Sequence, residues 1–350
     1  MVIQDHLRYV AAPMVGQSDA PFRLLTRKYG ATVAYTQMLL PEKLLNDQSY
    51  LEHHLRDLRF QPPNTSEVNH RPVVVQLCGN DPELIIQAAR QIQNDCDAID
   101  LNLGCPQEAA KEGHFGAYLL GQKDWPVVQE IVSSMSKSLT VPTSVKMRLC
   151  QPVDKTVDLG KKLEACGASW LTLHARTVSA RRRRQGPADL RVVKLLKDAL
   201  SVPVISNGNI RSYNNLQENL DFTGADGIMI GEPLLDNPCL FANIVPDPVD
   251  ISLEYLELCR IVPAVAPIPI IQTHIRHFVD SQCGRRPWFT KFRTALSNTS
   301  SIDEIEHLLL NRVQRWRGRS PAPASQIEEE IDIEEADGME GALEGLVLLK

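Results

Sequence analysis

The sequence predicts a (β/α)8 TIM barrel followed by a small all-helical C-terminal domain and a disordered acidic tail. Three observations carry that expectation. Eight short apolar runs are spaced through the first 231 residues, each followed by a turn and a helix-like segment; the alternation stops at Pro246-Asp247-Pro248; and charge divides unevenly along the chain. Parallel strands need crossover connections, and eight of them can close a ring. The expected domains are a barrel over 1–246, a helical domain over 249–318 and a disordered tail over 319–350.

The runs fall at 9–12, 32–36, 73–77, 98–103, 143–147, 171–174, 204–206 and 227–230. Asp81-Pro82 places a proline at the first position of a helix whose Ile85, Ala88, Ala89 and Ile92 share one face. Val157, Leu159, Gly160, Leu163 and Cys166 form another helical pattern, ended by Gly167. The longest connection, 37–70, predicts an inserted helix and a surface loop at Pro62-Pro63-Asn64-Thr65. Beyond residue 248 the pattern turns helical. Ser301 and Glu304 suit a capping box, and Ile302, Ile305, Leu308, Leu309, Val313 and Trp316 line one face. From Ser320 on, a Pro-Ala-Pro-Ala-Ser stretch and an acidic run read as disorder, with Leu346-Val347-Leu348-Leu349 at the end read as part of a floppy tail.

Composition narrows the function classes. Hydrophobic residues make up 43% and charged residues 23%, ordinary for a globular chain, so a sizeable core is expected. No apolar run approaches the ~20 residues of a membrane helix, and the N-terminal Met1-Val2-Ile3-Gln4-Asp5-His6 lacks the regions of a signal peptide, so a place in the cytoplasm or nucleus is expected. The eight cysteines include no C-x-x-C pair, which predicts neither a metal site nor a disulfide framework. The net charge of −6 conceals a division: 321–350 carries −8, 1–320 carries +2, and 271–320 carries +5. A basic appendage points to nucleic acid.

In a barrel, the residues just past each strand ring one mouth. Here they are Pro13 and Met14, Gln76, Asn102 and Cys105, Lys146 and Arg148, His174 and Arg176, Asn207-Gly208-Asn209, then Gly231 and Glu232. One strand-end His or Lys is usually structural; their coincidence on one rim predicts a site. The glycine turns after the seventh and eighth strands lie where this fold commonly binds phosphate through backbone N–H groups, or they are simply tight turns. A lysine at the mouth suits a reduced flavin. With no G-x-G-x-x-G fingerprint after any strand, a nicotinamide would visit the flavin and need no dinucleotide-binding domain.

These residues carry a family resemblance. Ala12-Pro13-Met14-Val15-Gly16, Leu101-Asn102-Leu103-Gly104-Cys105-Pro106, Lys146-Met147-Arg148, His174-Ala175-Arg176-Thr177 and Asn207-Gly208-Asn209-Ile210 resemble, in order, the tRNA-dihydrouridine synthase family over about 8–245. Gly104-Cys105-Pro106-Gln107 running into Ala110-Lys111-Glu112-Gly113-His114-Phe115-Gly116-Ala117, together with Asn237-Pro238-Cys239-Leu240-Phe241, resembles the subgroup acting on uridines 16 and 17 of the D-loop.

The resemblance implies FMN in the mouth, NADPH or NADH as reductant and tRNA as substrate; from the composition no membrane and no metal are expected, and the chain is expected to be a monomer. The resemblance implies hydride transfer to C6 of a flipped uracil and a proton from Cys105 to C5, apt for a thiol with an ordinary pKa of ~8.5. It further implies FMN contacts from Pro13, Met14, Gln76, Lys146, His174, Asn207, Gly208, Asn209, Gly231 and Glu232, and substrate contacts from Asn102, Arg148 and Arg176. The basic helical domain would grip tRNA phosphates while the base is extruded.

Two positions depart from the family pattern: Glu112 stands where a base is usual, and Glu232 replaces an arginine common in bacterial members. Arg181-Arg182-Arg183-Arg184 allows three readings: phosphate contact, a solvated loop or a nuclear-localisation patch. Two other functions stay open, a flavin barrel acting on a free pyrimidine in the manner of dihydroorotate dehydrogenase, and a tRNA-binding protein without catalysis.

Overall fold

The strand runs are rich in Val, Ile and Leu, as parallel strands covered on both faces must be. The computed structural model describes residues 3–60, 70–179 and 186–318. Strands β1 (Tyr9–Ala11), β2 (Val33–Leu39), β3 (Val73–Leu77), β4 (Ala98–Leu103), β5 (Thr143–Arg148), β6 (Trp170–His174), β7 (Val204–Asn207) and β8 (Gly227–Ile230) pair in parallel and in order, and β8 returns to β1. The predicted barrel is therefore present. β2 differs most from the sequence reading, because its register against β3 slips between Tyr35 and Met38 and the strand then runs on to Leu39.

Side chains alternate along each strand, so every second residue points inward. Val10, Val33, Tyr35, Val74, Ala98, Trp170, Ile205 and Met229 accordingly meet in one buried cluster. Trp170 fills much of it and donates through Nε1 to the Tyr35 hydroxyl at 3.1 Å.

The helices that follow are α1 (Ala20–Lys28), α2 (Pro41–Asn46), α3 (Gln48–Arg59), α4 (Pro82–Ile92), α5 (Glu108–Glu112), α6 (Trp125–Ser138), α7 (Lys155–Ala165), α8 (Leu190–Ala199), α9 (Asn214–Thr223) and α10 (Glu232–Asp236). Asp81 caps α4, accepting from the N–H groups of Glu83 and Leu84, and the predicted apolar face is buried with Ile86 added. In α7 the buried residues are Thr156, Leu159, Gly160 and Leu163, with Gly167 at φ 97° just past the end. The connection after β2 holds two helices, α2 and α3, where the sequence suggested one; Pro62-Pro63-Asn64-Thr65 lies outside the described residues. Arg23 of α1 and Asp57 of α3 form a buried ion pair at 2.8 Å, and Asp57 also accepts from the Ala20 N–H at 2.7 Å.

Two compact units divide the chain, one made of 1–246 with Glu257–Ala266, the other of Asp247–Leu256 with the residues from Pro267. α11 (Pro248–Ile261) begins in the second unit, which also holds α12 (Ile268–Cys283), α13 (Phe289–Ser297) and α14 (Ile302–His307). Ser301 caps α14 by accepting from the Glu304 N–H at 3.2 Å, while the Glu304 carboxylate reaches back to the Ser300 N–H at 2.7 Å, one residue earlier than a reciprocal box requires. The helix then widens into a π-helical turn, Leu308–Val313, which buries Leu308, Leu309 and Val313; Trp316 is half-buried. Arg317 grips Asp247 with both terminal nitrogens, at 2.9 and 2.6 Å. The acidic tail lies outside the described residues.

Replacing Asp57 with Ala leaves Arg23 buried without its carboxylate and is expected to cost about 3 kcal/mol. Urea denaturation of variant and parent checks this, and an unmoved midpoint would show that the pair does not brace α1 against α3.

Candidate active site

Inward alternation brings the last residues of the strands to a cavity of about 680 Å³, lined by all the strand-end residues named from the sequence as site candidates. Register sets their order around the wall: Asn102 lies beside Lys146, Arg148 beside His174, and His174 beside Asn207. Arg181-Arg182-Arg183-Arg184 lies outside the described residues.

Cys105 sits on a turn held by Asn102. The Asn102 Oδ1 accepts from the N–H groups of Gly104 and Cys105, both at 2.9 Å. Its Nδ2 donates to Gln76 Oε1 at 2.7 Å and meets Met38 Sδ at 3.2 Å. Gln76 in turn donates to Asp100 Oδ2 at 2.8 Å, and Ser144 donates to Asp100 Oδ1 at 2.6 Å. Farther along, Cys105 accepts the Ala117 N–H on its carbonyl at 3.1 Å. Gly116 permits this closeness, since it has φ 65° and a Cβ there would stand 2.9 Å from the Cys105 carbonyl oxygen. Asn80 donates to the Gly113 and His114 carbonyls, so α5 and the loop after it are tied beside the mouth, with Glu112 exposed.

Burial raises the pKa of the Cys105 thiol above the ordinary value, and the nearby Arg148 and Lys146 only partly offset this. Lys146 behaves oppositely: burial and Arg148 push its ammonium down to about 8, although Asp100 pulls upward. The ammonium has no hydrogen-bond or ion-pair partner among the described residues, and a Cβ on Gly104 would lie 3.9 Å from its Nζ. Burial, then the charges of Lys146, Arg148 and Arg176, drive His174 down to about 2, so its imidazole is neutral near pH 7. Arg148 is anchored by Nε to the Gly104 carbonyl at 2.9 Å and by Nη1 to the Thr177 carbonyl at 2.8 Å. Arg176 donates to the Gly186 carbonyl at 2.7 Å.

The turns after β7 and β8 are framework as much as lining. Asn209 clasps the backbone of Ala188 with both amide atoms at 2.8 Å, and Asn207 donates to the Met229 carbonyl at 2.8 Å. Gly208, at φ 128°, leaves no room for a side chain, because a Cβ would stand 2.7 Å from that of Ala188. Sequence reasoning missed Met38, Asp100 and Arg211. Met38 and Arg211 line the cavity, and Asp100 is fully buried beneath it. Thr36 and Gln37 interrupt the apolar run before Met38 and left no signal for it, whereas a carboxylate inside a strand of leucines and isoleucine was the signal for Asp100.

Several known proteins are similar to this chain. The mouse tRNA-dihydrouridine(16/17) synthase [NAD(P)(+)]-like protein is 38% identical over 268 residues, covering 77% of this chain and 54% of its own length. The Saccharomyces cerevisiae tRNA-dihydrouridine(16/17) synthase [NAD(P)(+)] is 37% identical, covering 72% of this chain and 60% of its own. The chain thus spans little more than half the length of these relatives. A human tRNA-dihydrouridine(20a/20b) synthase [NAD(P)+]-like protein is 32% identical, covering 84% of this chain and 88% of its own length. Among solved structures, histamine dehydrogenase from Rhizobium sp. 4-9 shares the barrel at TM-score 0.52 and 12% identity, over 72% of this chain and 49% of that one. Residues 10–299 match the dihydrouridine synthase family as a whole. The chain belongs to the dihydrouridine synthase family.

Proposed function

We propose that this chain is an FMN-dependent, NAD(P)H-using tRNA-dihydrouridine synthase that reduces the C5=C6 bond of uridines 16 and 17 in the D-loop. The observation that carries this reading is one cavity holding a thiol kept protonated, an ammonium with no direct ion-pair partner among the described residues and a neutral imidazole. The order of identities favours positions 16 and 17, at 38% against 32% for the relative named for 20a and 20b.

The residues present fit the cofactor. The Lys146 ammonium can face an anionic ring edge, the turns at Gly208 and Gly231 line the cavity with backbone that a phosphate could meet, and the cavity has the size usual for a cofactor site. Bound FMN, reduced by NAD(P)H, would supply the hydride for C6 of the uracil. Cys105 donates its proton to C5, and burial keeps that proton on sulfur at neutral pH. His174 hydrogen-bonds without adding charge. Arg148 is positioned for the uracil edge by its two backbone carbonyls. Asn102 spends its amide on the turn, so its contribution to uracil binding is to hold Cys105 in place.

A uridine inside folded tRNA must be flipped out to reach the cavity. Exposed Arg285, Arg286, Lys291, Arg293 and Arg312 of the second unit can grip phosphates, whereas Arg317 is committed to Asp247. Among the described residues no helix is long and apolar enough to cross a membrane, and no cluster of metal-ligating side chains occurs. A tRNA substrate favours a place in the cytoplasm or nucleus, and the chain is read as a monomer.

The purified protein should be yellow, with a flavin spectrum that NADPH bleaches in the absence of oxygen. A colourless protein that takes up no FMN would sink the reading. In a strain lacking its own enzyme, position-by-position mapping should find dihydrouridine at 16 and 17 on complementation. Cys105→Ala should retain FMN and lose about 100-fold or more in turnover; parental turnover would remove Cys105 as the proton donor.

The pH dependence follows from Lys146. Its ammonium is charged below about 8 and neutral above, so kcat should hold through neutrality and fall as pH rises past about 8. Lys146→Arg keeps the charge and should move this alkaline limb upward; an unmoved limb would assign it to another group.

A further inference from the structure

Asp100 is fully buried on β4, two residues before Asn102, and the two bonds to its carboxylate begin a chain that ends at the Cys105 turn. Each link is directional. A carboxylate only accepts, so Gln76 must turn its NH₂ toward Asp100 and its oxygen toward Asn102. Asn102 must then offer its own NH₂ to Gln76, which leaves its oxygen facing the Gly104 and Cys105 N–H groups. With either amide reversed, two donors or two acceptors would oppose each other inside the barrel, where an unsatisfied polar group costs most.

We propose that Asp100 is a positioning residue for the Cys105 thiol: it sets the polarity of the Gln76–Asn102 chain and thereby locks the turn that aims the thiol into the cavity. The proposal rests on the reading of Cys105 as the proton donor and adds to it a buried origin for the thiol's placement. Lys146, Arg148 and His174, the other chemical groups of the wall, are held from β5 and β6. The chain from Asp100 therefore fixes the β4 side of the site, and Arg148 joins the two sides through the Gly104 carbonyl.

The test exchanges acid and amide along the chain in the full-length protein. Gln76→Glu places a second carboxylate against Asp100, and above the pH range in which the two share a proton their repulsion displaces the acceptor that Asn102 needs, so the turn loses its hold. Adding Asp100→Asn restores the polarity, since the amide introduced on β4 can donate to the carboxylate introduced on β3, and that carboxylate still accepts from Asn102. The first readout is alkylation of Cys105 by iodoacetamide, followed by mass spectrometry of its peptide; the second is kcat and KM for dihydrouridine formation.

Gln76→Glu should change the alkylation rate at least about fivefold and lower kcat about tenfold or more, with KM for tRNA within about twofold. The double variant should bring the alkylation rate back to within about twofold of the parent. Asp100→Asn alone, whose oxygen can still accept from Gln76, should stay within about threefold, whereas Asp100→Ala should resemble Gln76→Glu. That pair decides the matter if Gln76→Glu fails to fold.

Equal losses in Asp100→Asn and Asp100→Ala, or no rescue in the double variant, would overturn the relay and leave charge or packing as the role of Asp100. An inactive parent protein would instead overturn the catalytic reading, and the alkylation rates would still judge the relay.

Discussion

Parallel pairing carried from β1 round to β8 and back is the constraint on which the rest of the structure depends. A closed ring gives each strand one inward face, and the helices outside take up the other, so side chains can differ in chemistry only along the interior. Lower in the barrel that interior is filled by Val10, Val33, Val74, Ala98, Ile205 and Trp170. Toward the C-terminal ends the same alternation presents Gln76, Asn102, Lys146, Arg148, His174 and Asn207. Core and site are thus successive levels of one stack. The packed lower level gives the polar upper level rigid anchor points, which catalytic positioning requires.

This geometry explains why much of the site was legible in the sequence. Polar residues at spacing two near the ends of apolar runs, as in Lys146 with Arg148, can only share a face, and the barrel gives all such faces one destination. Single glycines were legible for a similar reason, because a strand-to-helix turn leaves few backbone choices. The β2 bulge that delivers Met38 was not legible, since its apolar run gives no sign of the register slip. Nor were the specific bonds: that Asn209 binds Ala188, or that Asn102 spends both amide atoms on the turn and Gln76, depends on distances between segments far apart in the chain. The basic C-terminal segment was legible as charge but not as availability, for Arg317 is committed to Asp247.

The balance of burial against charge gives the cavity its chemistry. Lys146 and Arg148 are near enough to Cys105 to favour its thiolate, yet desolvation is the larger effect and keeps the proton in place. The same desolvation weakens the hold of Lys146 on its own proton and leaves its ammonium charged only up to about pH 8. A more open mouth would weaken both effects: the thiol would lose its proton more readily, and the lysine would hold its own more firmly. The tied loop that runs through Gly116, which shields one side of Cys105, is therefore part of the acid-base design as well as of the fold. His174 completes the logic. Driven neutral first by burial and then by three neighbouring cations, it can approach an electron-rich ring edge without competing with Lys146 for negative charge. A site arranged in this way separates its tasks by environment, with cations, one acid and one neutral donor held on a closed wall of strands.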